Sequence, residues 1–106
     1  MSTISVIVLN YNSSADCCKC VADLQRQEGV ELEIIIVDNC SRKEDALAVE
    51  KLATEQGCTF IAAKENRGYN AGNNIGLRYA ANKGNDENVG KIWQIKVLFL
   101  FLQSIS

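Results

Sequence analysis

Two short polar segments, each directly after an apolar run, carry residues suited to binding a polar ligand. The segment Asn10–Asn12 follows Ile4–Leu9, and the pair Asp38–Asn39 follows Ile34–Val37. Side-chain amides both donate and accept hydrogen bonds, and a carboxylate accepts them strongly from hydroxyl and N–H groups. The alternative for Asp38 is a turn residue that accepts hydrogen bonds from nearby backbone N–H groups.

A third segment, residues 65–84, combines glycine and asparagine. Gly68, Gly72 and Gly76 recur every four residues and would lie along one face of a helix, although each glycine costs about 1 kcal/mol relative to alanine. One interpretation is that this face brings backbone amides and asparagine side chains against a polar ligand. The other is close packing of the helix on a sheet, with the asparagines as caps and turn formers. The asparagines are Asn66, Asn70, Asn73 and Asn74.

The apolar runs predict the elements that position these side chains. The run Ile34–Val37 has no polar alternation, which is typical of a strand buried on both faces of a parallel sheet. We predict strands near 4–10, 32–37, 58–63 and 97–102, and helices near 14–27, 43–56 and 70–83. This order predicts an α/β fold with a parallel sheet flanked by helices. Polar residues after β-strands would then meet at one edge of the sheet.

Local signals predict the helix ends. Ser13 or Ser14 can cap the first helix, and Gly29 is placed to end it. The spacing of Ser41 and Glu44 is that of a capping box, which predicts the start of the second helix. Gly57 is placed to end that helix.

Composition excludes several function classes. The chain has 106 residues, enough for one domain, and 11 basic against 13 acidic residues give a formal charge of −2, which predicts no nucleic-acid partner. Neither the phosphate loop of nucleotide hydrolases nor the glycine fingerprint of dinucleotide-binding domains occurs. The five cysteines, without histidine or paired C-x-x-C motifs, favour buried reduced thiols, with zinc as the weaker alternative.

Three segments together resemble a known family. Ile4–Ser13, Ile34–Ser41 and Asn66–Gly76 are similar, in order and spacing, to the three N-terminal signatures of family-two glycosyltransferases, whose fold is called GT-A. The rhamnosyltransferase-like branch is the most similar. The resemblance extends from residue 4 to about residue 83 and implies transfer of a sugar from a nucleoside-diphosphate sugar, with bacterial polysaccharide assembly as the expected setting.

The resemblance also implies roles for individual residues. The loop after the first strand would flank the base and ribose of the donor, and the acid after the second strand would contact base or ribose. The Asn-Arg-Gly segment and the helix after it would close the pocket near the ribose and the diphosphate. The implied nucleotide-binding residues are Asn10, Tyr11, Asn12, Asp38, Asn39, Asn66, Arg67, Gly68 and Asn73.

The sequence departs from the family after residue 84. Family members carry an acidic motif after their fourth strand that binds Mg²⁺ or Mn²⁺, and a catalytic carboxylate further on; here no acid follows Glu87. We therefore expect residues 1–84 to form the nucleotide-sugar-binding half of a GT-A domain and residues 85–106 a divergent tail with one apolar strand. We expect the chain to be truncated, inactive by itself and without evident metal ligands. Its catalytic residues are therefore unknown.

The tail leads to the remaining expectations. Ile92–Leu102 is too short and interrupted to span a bilayer, which takes about 20 apolar residues, so we expect no transmembrane segment. An uncovered apolar strand favours self-association, which predicts a homo-oligomer through the tail. We expect a cytoplasmic protein, or one peripheral to the inner face of the membrane. The alternative function is a non-catalytic nucleotide-binding or self-associating module.

Overall fold

The computed structural model describes residues 3–29, 31–65, 68–84 and 92–99. Its elements alternate strictly between strand and helix along the chain. They are β1 (Thr3–Asn10), α1 (Ser14–Gln25), β2 (Glu31–Asp38), α2 (Lys43–Gln56), β3 (Thr59–Ala62), α3 (Tyr69–Gly84) and β4 (Ile92–Phe99).

The four strands form one parallel sheet in the order β3-β2-β1-β4. The aliphatic strands β1 and β2 occupy its centre, where Val6–Leu9 and Ile34–Val37 are buried on both faces. In their register Asn10 pairs with Asp38, so both strands end side by side. The predicted α/β fold, with a parallel sheet flanked by helices, is confirmed.

The fourth strand differs from the prediction. It spans Ile92–Phe99 rather than 97–102, and residues 100–102 lie outside the described residues. Gln94 and Lys96 interrupt the apolar run and obscured the true start of the strand. Pairing with β1 from Thr3 to Leu9 sets the length of β4, and that information is not local to the segment.

The sequence assigned the ends of α1 and α2 to glycines, and the structure confirms this for α2 and not for α1. Gly57 does end α2: its φ of 71° is left-handed, and the Cys58 N–H donates to the Ala53 carbonyl. Helix α1 instead ends at Gln25 with Arg26 as C-cap, so assigning its end to Gly29 was wrong. Gly29 has a φ of +80° and shapes the loop that leads to β2.

The helices cover the two faces of the sheet unequally. Helices α1 and α2 pack on one face through Cys17, Val21, Val49 and Ala53, which contact Val6, Val8, Ile34 and Ile36. Among the described helices, α3 packs on the other face, against Ile7, Leu9, Ile35 and Val37. The sheet is therefore the middle layer of three.

The glycines of α3 are explained by this packing. A Cβ atom at Gly76 would lie 2.7 Å from Cγ2 of Ile7, and one at Gly72 would lie 2.7 Å from Cδ1 of Leu9. The helix axis could not come this close to β1 with side chains at either position. For Gly72 and Gly76 the close-packing interpretation holds, and the ligand-facing interpretation does not.

No helix in the described ranges is both long and apolar enough to cross a bilayer.

Candidate functional site

The polar residues at the ends of β1 and β2 form a buried hydrogen-bonded cluster. Asn10 is fully buried and Asp38 is 2% exposed. The Asn10 Nδ2 donates to Asp38 Oδ1 over 2.9 Å. The structure therefore brings these two predicted site residues together, as the parallel register requires.

The Asp38 carboxylate is occupied within its own loop. Its Oδ1 also accepts from the Ser41 hydroxyl at 2.6 Å, and its Oδ2 accepts from the Ser41 backbone N–H at 3.0 Å. This is the turn geometry that the sequence left open as the alternative for Asp38. The Ser41 hydroxyl is thus committed to Asp38, and the predicted capping box with Glu44 is wrong because the N-cap is Arg42 and makes no side-chain cap.

Asp45, in the first turn of α2, is the member of the cluster that sequence reasoning missed. Its Oδ2 accepts from Asn10 Nδ2 at 2.9 Å, and its Oδ1 accepts from the Ser14 backbone N–H at 2.9 Å. Asp45 therefore caps α1 from another helix, whereas the N-cap Ser13 donates its hydroxyl to the Tyr11 carbonyl instead. The available signal was an acid one residue beyond Glu44, but it indicated only a favourable helix start.

Asn12 makes the reciprocal connection. Its side-chain Oδ1 accepts from the Arg42 backbone N–H at 2.7 Å, and its backbone N–H donates to the Ser41 hydroxyl at 2.9 Å. Asn12 and Cys40 both have positive φ angles, 50° and 62°, which turn the chain sharply in each loop. The loop after β1 thus caps α2 through Asn12, and the first turn of α2 caps α1 through Asp45.

The electrostatics of the cluster depend on Asp45. Partial burial by itself raises the pKa of Asp45, but hydrogen bonds from Asn10 and Ser14 outweigh it and hold the pKa below its ordinary value. Asp45 is therefore ionised at neutral pH and acts as an acceptor. Its hydrogen-bonding demand sets the orientation of the Asn10 amide, whose nitrogen must face the two carboxylates.

Two buried amide oxygens stand out around this cluster. Asn10 Oδ1 and Asn73 Oδ1 are both shielded from solvent and accept no hydrogen bond from any residue in the described ranges. A buried acceptor without a donor costs about 1–3 kcal/mol. One of these oxygens belongs to the cluster and the other to helix α3, and both have unused hydrogen-bonding capacity.

The third segment approaches the cluster through Asn39 and Gly68. Asn39 is 3% exposed, and its Nδ2 donates to the Gly68 carbonyl at 3.4 Å. Gly68 precedes α3 with a φ of +89°, so it is not part of the helical face expected from the glycine repeat. Tyr11 is half-buried in the loop after β1, while Asn66 and Arg67 lie outside the described residues.

An open cleft of about 330 Å³ lies beside α3. It runs between the chain after β3 and the flank of the helix, with Lys64, Asn74 and Arg78 among its polar lining residues. It therefore adjoins the segment that follows β3.

The described residues do not fit a divalent metal. They contain no group of three aspartate, glutamate, cysteine or histidine side chains that could hold a metal ion. The two carboxylates of the cluster share the Asn10 amide nitrogen as their donor, an arrangement that satisfies them without a cation. No chemical step through a metal is derived from this chain.

Comparisons with known proteins identify a family and two glycosyltransferase relatives. A sequence model described as glycosyl transferase family 2 matches residues 5–83. The hexosyltransferase Agl10 of low-salt glycan biosynthesis in Haloferax volcanii is 29% identical over 89 residues, covering 84% of this chain and 26% of that protein. An uncharacterized protein of Mycobacterium tuberculosis, MT1568, is 32% identical over 77 residues, covering 73% of this chain and 24% of that protein.

A solved structure supports the same relationship. The mannosyltransferase PcManGT from Pyrobaculum calidifontis, in complex with GDP-Man and Mn²⁺, superposes with a TM-score of 0.64 at 26% identity. The match covers 72% of this chain and 24% of that one. The chain thus spans about a quarter of the length of each of these three proteins. With its parallel sheet, its paired strand ends and a family match from residue 5 to residue 83, the chain belongs to glycosyl transferase family 2 and has a GT-A-like fold.

Proposed function

We propose that this chain binds the nucleoside diphosphate of a sugar donor at the carboxyl edge of β1 and β2. The observation that carries the proposal is the polar cluster at the paired ends of these strands, within the part of the chain that matches the family. Ligands of open α/β sheets bind outside the carboxyl ends of the strands. The donor class follows the family and the GDP-Man bound by the solved neighbour.

The proposed nucleotide-binding residues come from three loops. The loop after β1 contributes Tyr11, whose ring is the large planar surface available to a base. The hydrogen-bonded cluster of Asn10, Asp38 and Asp45, here called the edge cluster, holds the loops after β1 and β2 in place. The start of α3 faces the ribose and diphosphate. The full proposed set is Asn10, Tyr11, Asn12, Asp38, Asn39, Asn66, Arg67, Gly68 and Asn73. We propose that residues 1–84 supply this nucleotide-binding part and that residues 85–106 are a divergent tail, whose strand β4 joins the same sheet.

Sugar transfer needs more than these residues. The solved neighbour was obtained with Mn²⁺, and a divalent metal is expected for the family. We propose that glycosyl transfer to an acceptor, in assembly of a surface polysaccharide, depends on groups other than those in the described ranges. This chain by itself is expected to bind the donor and not to turn it over.

Calorimetric titration tests the proposal. UDP, dTDP and GDP are titrated into the protein with and without Mn²⁺, and saturable one-site binding that does not depend on metal is the expected result. Absence of binding by all three nucleotides under both conditions would refute the proposal. Glycosyl transfer by this chain alone would refute the expectation that it is inactive.

Two variants assign the binding to the proposed edge. Asp38→Asn keeps the shape of the side chain while changing its hydrogen-bonding chemistry, and it should weaken nucleotide binding. Glu44→Gln, at an exposed position in the same helix turn as Asp45, removes the same charge and should bind like the wild type. Equal losses in both variants would point to a general charge effect and not to this site.

One observation favours a second candidate, a non-catalytic structural module. Asp38 is 2% exposed and accepts three hydrogen bonds from within the chain, so it already has a role in the fold. In this case the edge cluster stabilises the fold without a ligand. The same titrations separate the candidates, because a purely structural module binds no nucleotide.

Self-association through the tail remains a proposal for either candidate. Size-exclusion chromatography with light scattering should give at least a dimer for the full chain and a smaller species after deletion of residues 97–106. A monomeric mass that the deletion leaves unchanged would overturn it.

Localisation at the cytoplasmic side of a membrane is likewise proposed from the family, and cell fractionation tests it.

A further inference from the structure

The amide of Asn10 is held from two sides by carboxylates on different elements. Asp38 Oδ1 at the end of β2 and Asp45 Oδ2 in α2 each lie 2.9 Å from the Asn10 Nδ2. An amide nitrogen has two N–H groups, so these two contacts use both. Rotation of the amide by 180° would place its oxygen against two carboxylates, which electrostatic repulsion disfavours.

The consequence is a fixed direction for the amide oxygen. Asn10 is fully buried, and its Oδ1 accepts no hydrogen bond from any described residue. A buried amide oxygen held in one orientation requires a donor from elsewhere. Within the site the unmet chemistry is therefore that of an acceptor awaiting an N–H or O–H group.

Besides the Asn10 amide, Asp38 and Asp45 accept hydrogen bonds from different donors. Asp38 is also bonded to the backbone and hydroxyl of Ser41 in its own loop. Asp45 also accepts from the Ser14 N–H at the start of α1. Asp45 thus ties the amide to the first turns of two helices, and it can be changed while the Asp38 loop stays intact.

We propose that Asp45 is a positioning residue that orients the Asn10 amide so that its Oδ1 accepts a hydrogen bond from the nucleoside of the bound nucleotide. The inference rests on the proposed function, since it needs the nucleotide to bind at this edge. It goes further in assigning the recognition of a donor group to Asn10 and the orientation of that residue to Asp45. The donor group is a ring N–H of the base or a ribose hydroxyl.

The test compares nucleotides that differ at one group. UDP and GDP carry a ring N–H where CDP and ADP carry a ring nitrogen that can only accept, and the 2′-deoxy forms lack one ribose hydroxyl. For the wild type we expect at least one matched pair to differ about tenfold in dissociation constant, which is the scale of one hydrogen bond to a buried polar group. A difference between UDP and CDP, or between GDP and ADP, identifies the ring N–H as the donor group. A difference between a nucleotide and its 2′-deoxy form identifies the ribose hydroxyl.

The Asp45→Asn variant should reduce that difference, because the amide it introduces can pair with either orientation of the Asn10 amide and only Asp38 then still disfavours the flipped one. Glu44→Gln, which removes a charge from an exposed neighbour, should keep the wild-type ratio. Melting temperatures measured without ligand show whether each variant is folded. A ratio that Asp45→Asn leaves unchanged, while it weakens all nucleotides equally, would show that Asp45 is only structural and would overturn the proposal.

Measurements on the wild type alone keep the proposal testable if Asp45→Asn does not fold. Equal binding of every matched pair would show that no donor group is read at this edge, and that result would overturn the inference while leaving nucleotide binding standing. Absence of binding by all nucleotides would overturn the inference together with the proposed function. The two failures are therefore distinguishable.

Discussion

The two signature regions of this chain contact each other, but they are built by different physics. At the carboxyl edge of β1 and β2, hydrogen bonds from the Asn10 amide nitrogen to Asp38 and Asp45 join three polar side chains. On the face of α3, Gly72 and Gly76 bring the helix backbone onto Leu9 and Ile7 without any polar contact between those side chains.

The two regions tolerate different kinds of substitution. In the edge cluster the chemical identity of each atom matters, because a missing acceptor leaves several donors unpaired in a buried place. On the glycine face only volume matters, because the space between helix and strand is filled. The same signature segments thus contain residues whose role is hydrogen bonding and residues whose role depends on their small size.

The largest expected effect is loss of the Asp38 carboxylate. Asp38→Ala should lower the free energy of unfolding by roughly 2–4 kcal/mol, because the Asn10 amide and two Ser41 donors lose their acceptor. Urea denaturation followed by circular dichroism measures it. Asp38→Asn, which retains one acceptor oxygen, should lose less. A loss below about 0.5 kcal/mol for Asp38→Ala would mean that the cluster does not hold the loops.

The matching change on the glycine face is Gly76→Ala. Alanine should improve helix propensity by about 1 kcal/mol, but its Cβ would lie 2.7 Å from Cγ2 of Ile7, a branched carbon on a central strand. We expect a net destabilisation of roughly 1–3 kcal/mol by urea denaturation. The exposed Asn74→Ala on the same helix is the control and should not destabilise.

A double-mutant cycle sharpens this assignment. Combining Gly76→Ala with Ile7→Ala removes the atoms that the new methyl group meets, so the two losses should be less than additive by about 1 kcal/mol or more. Strict additivity would show that the cost of Gly76→Ala arises elsewhere in the helix.

A smaller effect is expected at Gly72. The nearest atom that its Cβ would meet is Cδ1 of Leu9, the far end of a side chain, at 2.7 Å, and the next is Oδ1 of Asn39 at 3.2 Å. We expect Gly72→Ala to stay within about 1 kcal/mol of the wild type in the same assay, since helix propensity offsets part of the clash. A larger loss than that of Gly76→Ala would reverse the ranking of the two contacts.

The smallest expected effect is the pH dependence due to Asp45. Its pKa in the folded protein is below the ordinary value of 3.8, so its contribution to stability is present above that value and is lost as pH falls through the folded pKa. The difference in unfolding free energy between wild type and Asp45→Asn should therefore be constant near neutral pH and shrink below about pH 4. A difference that grows under acid would contradict this sign.

Much of the architecture could be predicted from the sequence because its signals are local. Unbroken aliphatic runs indicated the buried strands β1 and β2, and Gly57 indicated the end of α2. The capping box at Ser41 and the start of β4 could not be predicted, because Ser41 bonds to Asp38 and β4 is defined by pairing with β1. In each case a contact between segments overrode the local pattern.

Local sequence patterns specify the order of elements, the family and the edge of the sheet at which the polar residues gather. These features depend on hydrophobic runs and on residue types at fixed spacing. Only the tertiary structure decided that Gly72 and Gly76 serve packing and that Asp45 joins Asn10 and Asp38. The physical reason is that hydrogen-bond pairing and steric fit depend on distances between segments remote in the chain, which no local pattern specifies.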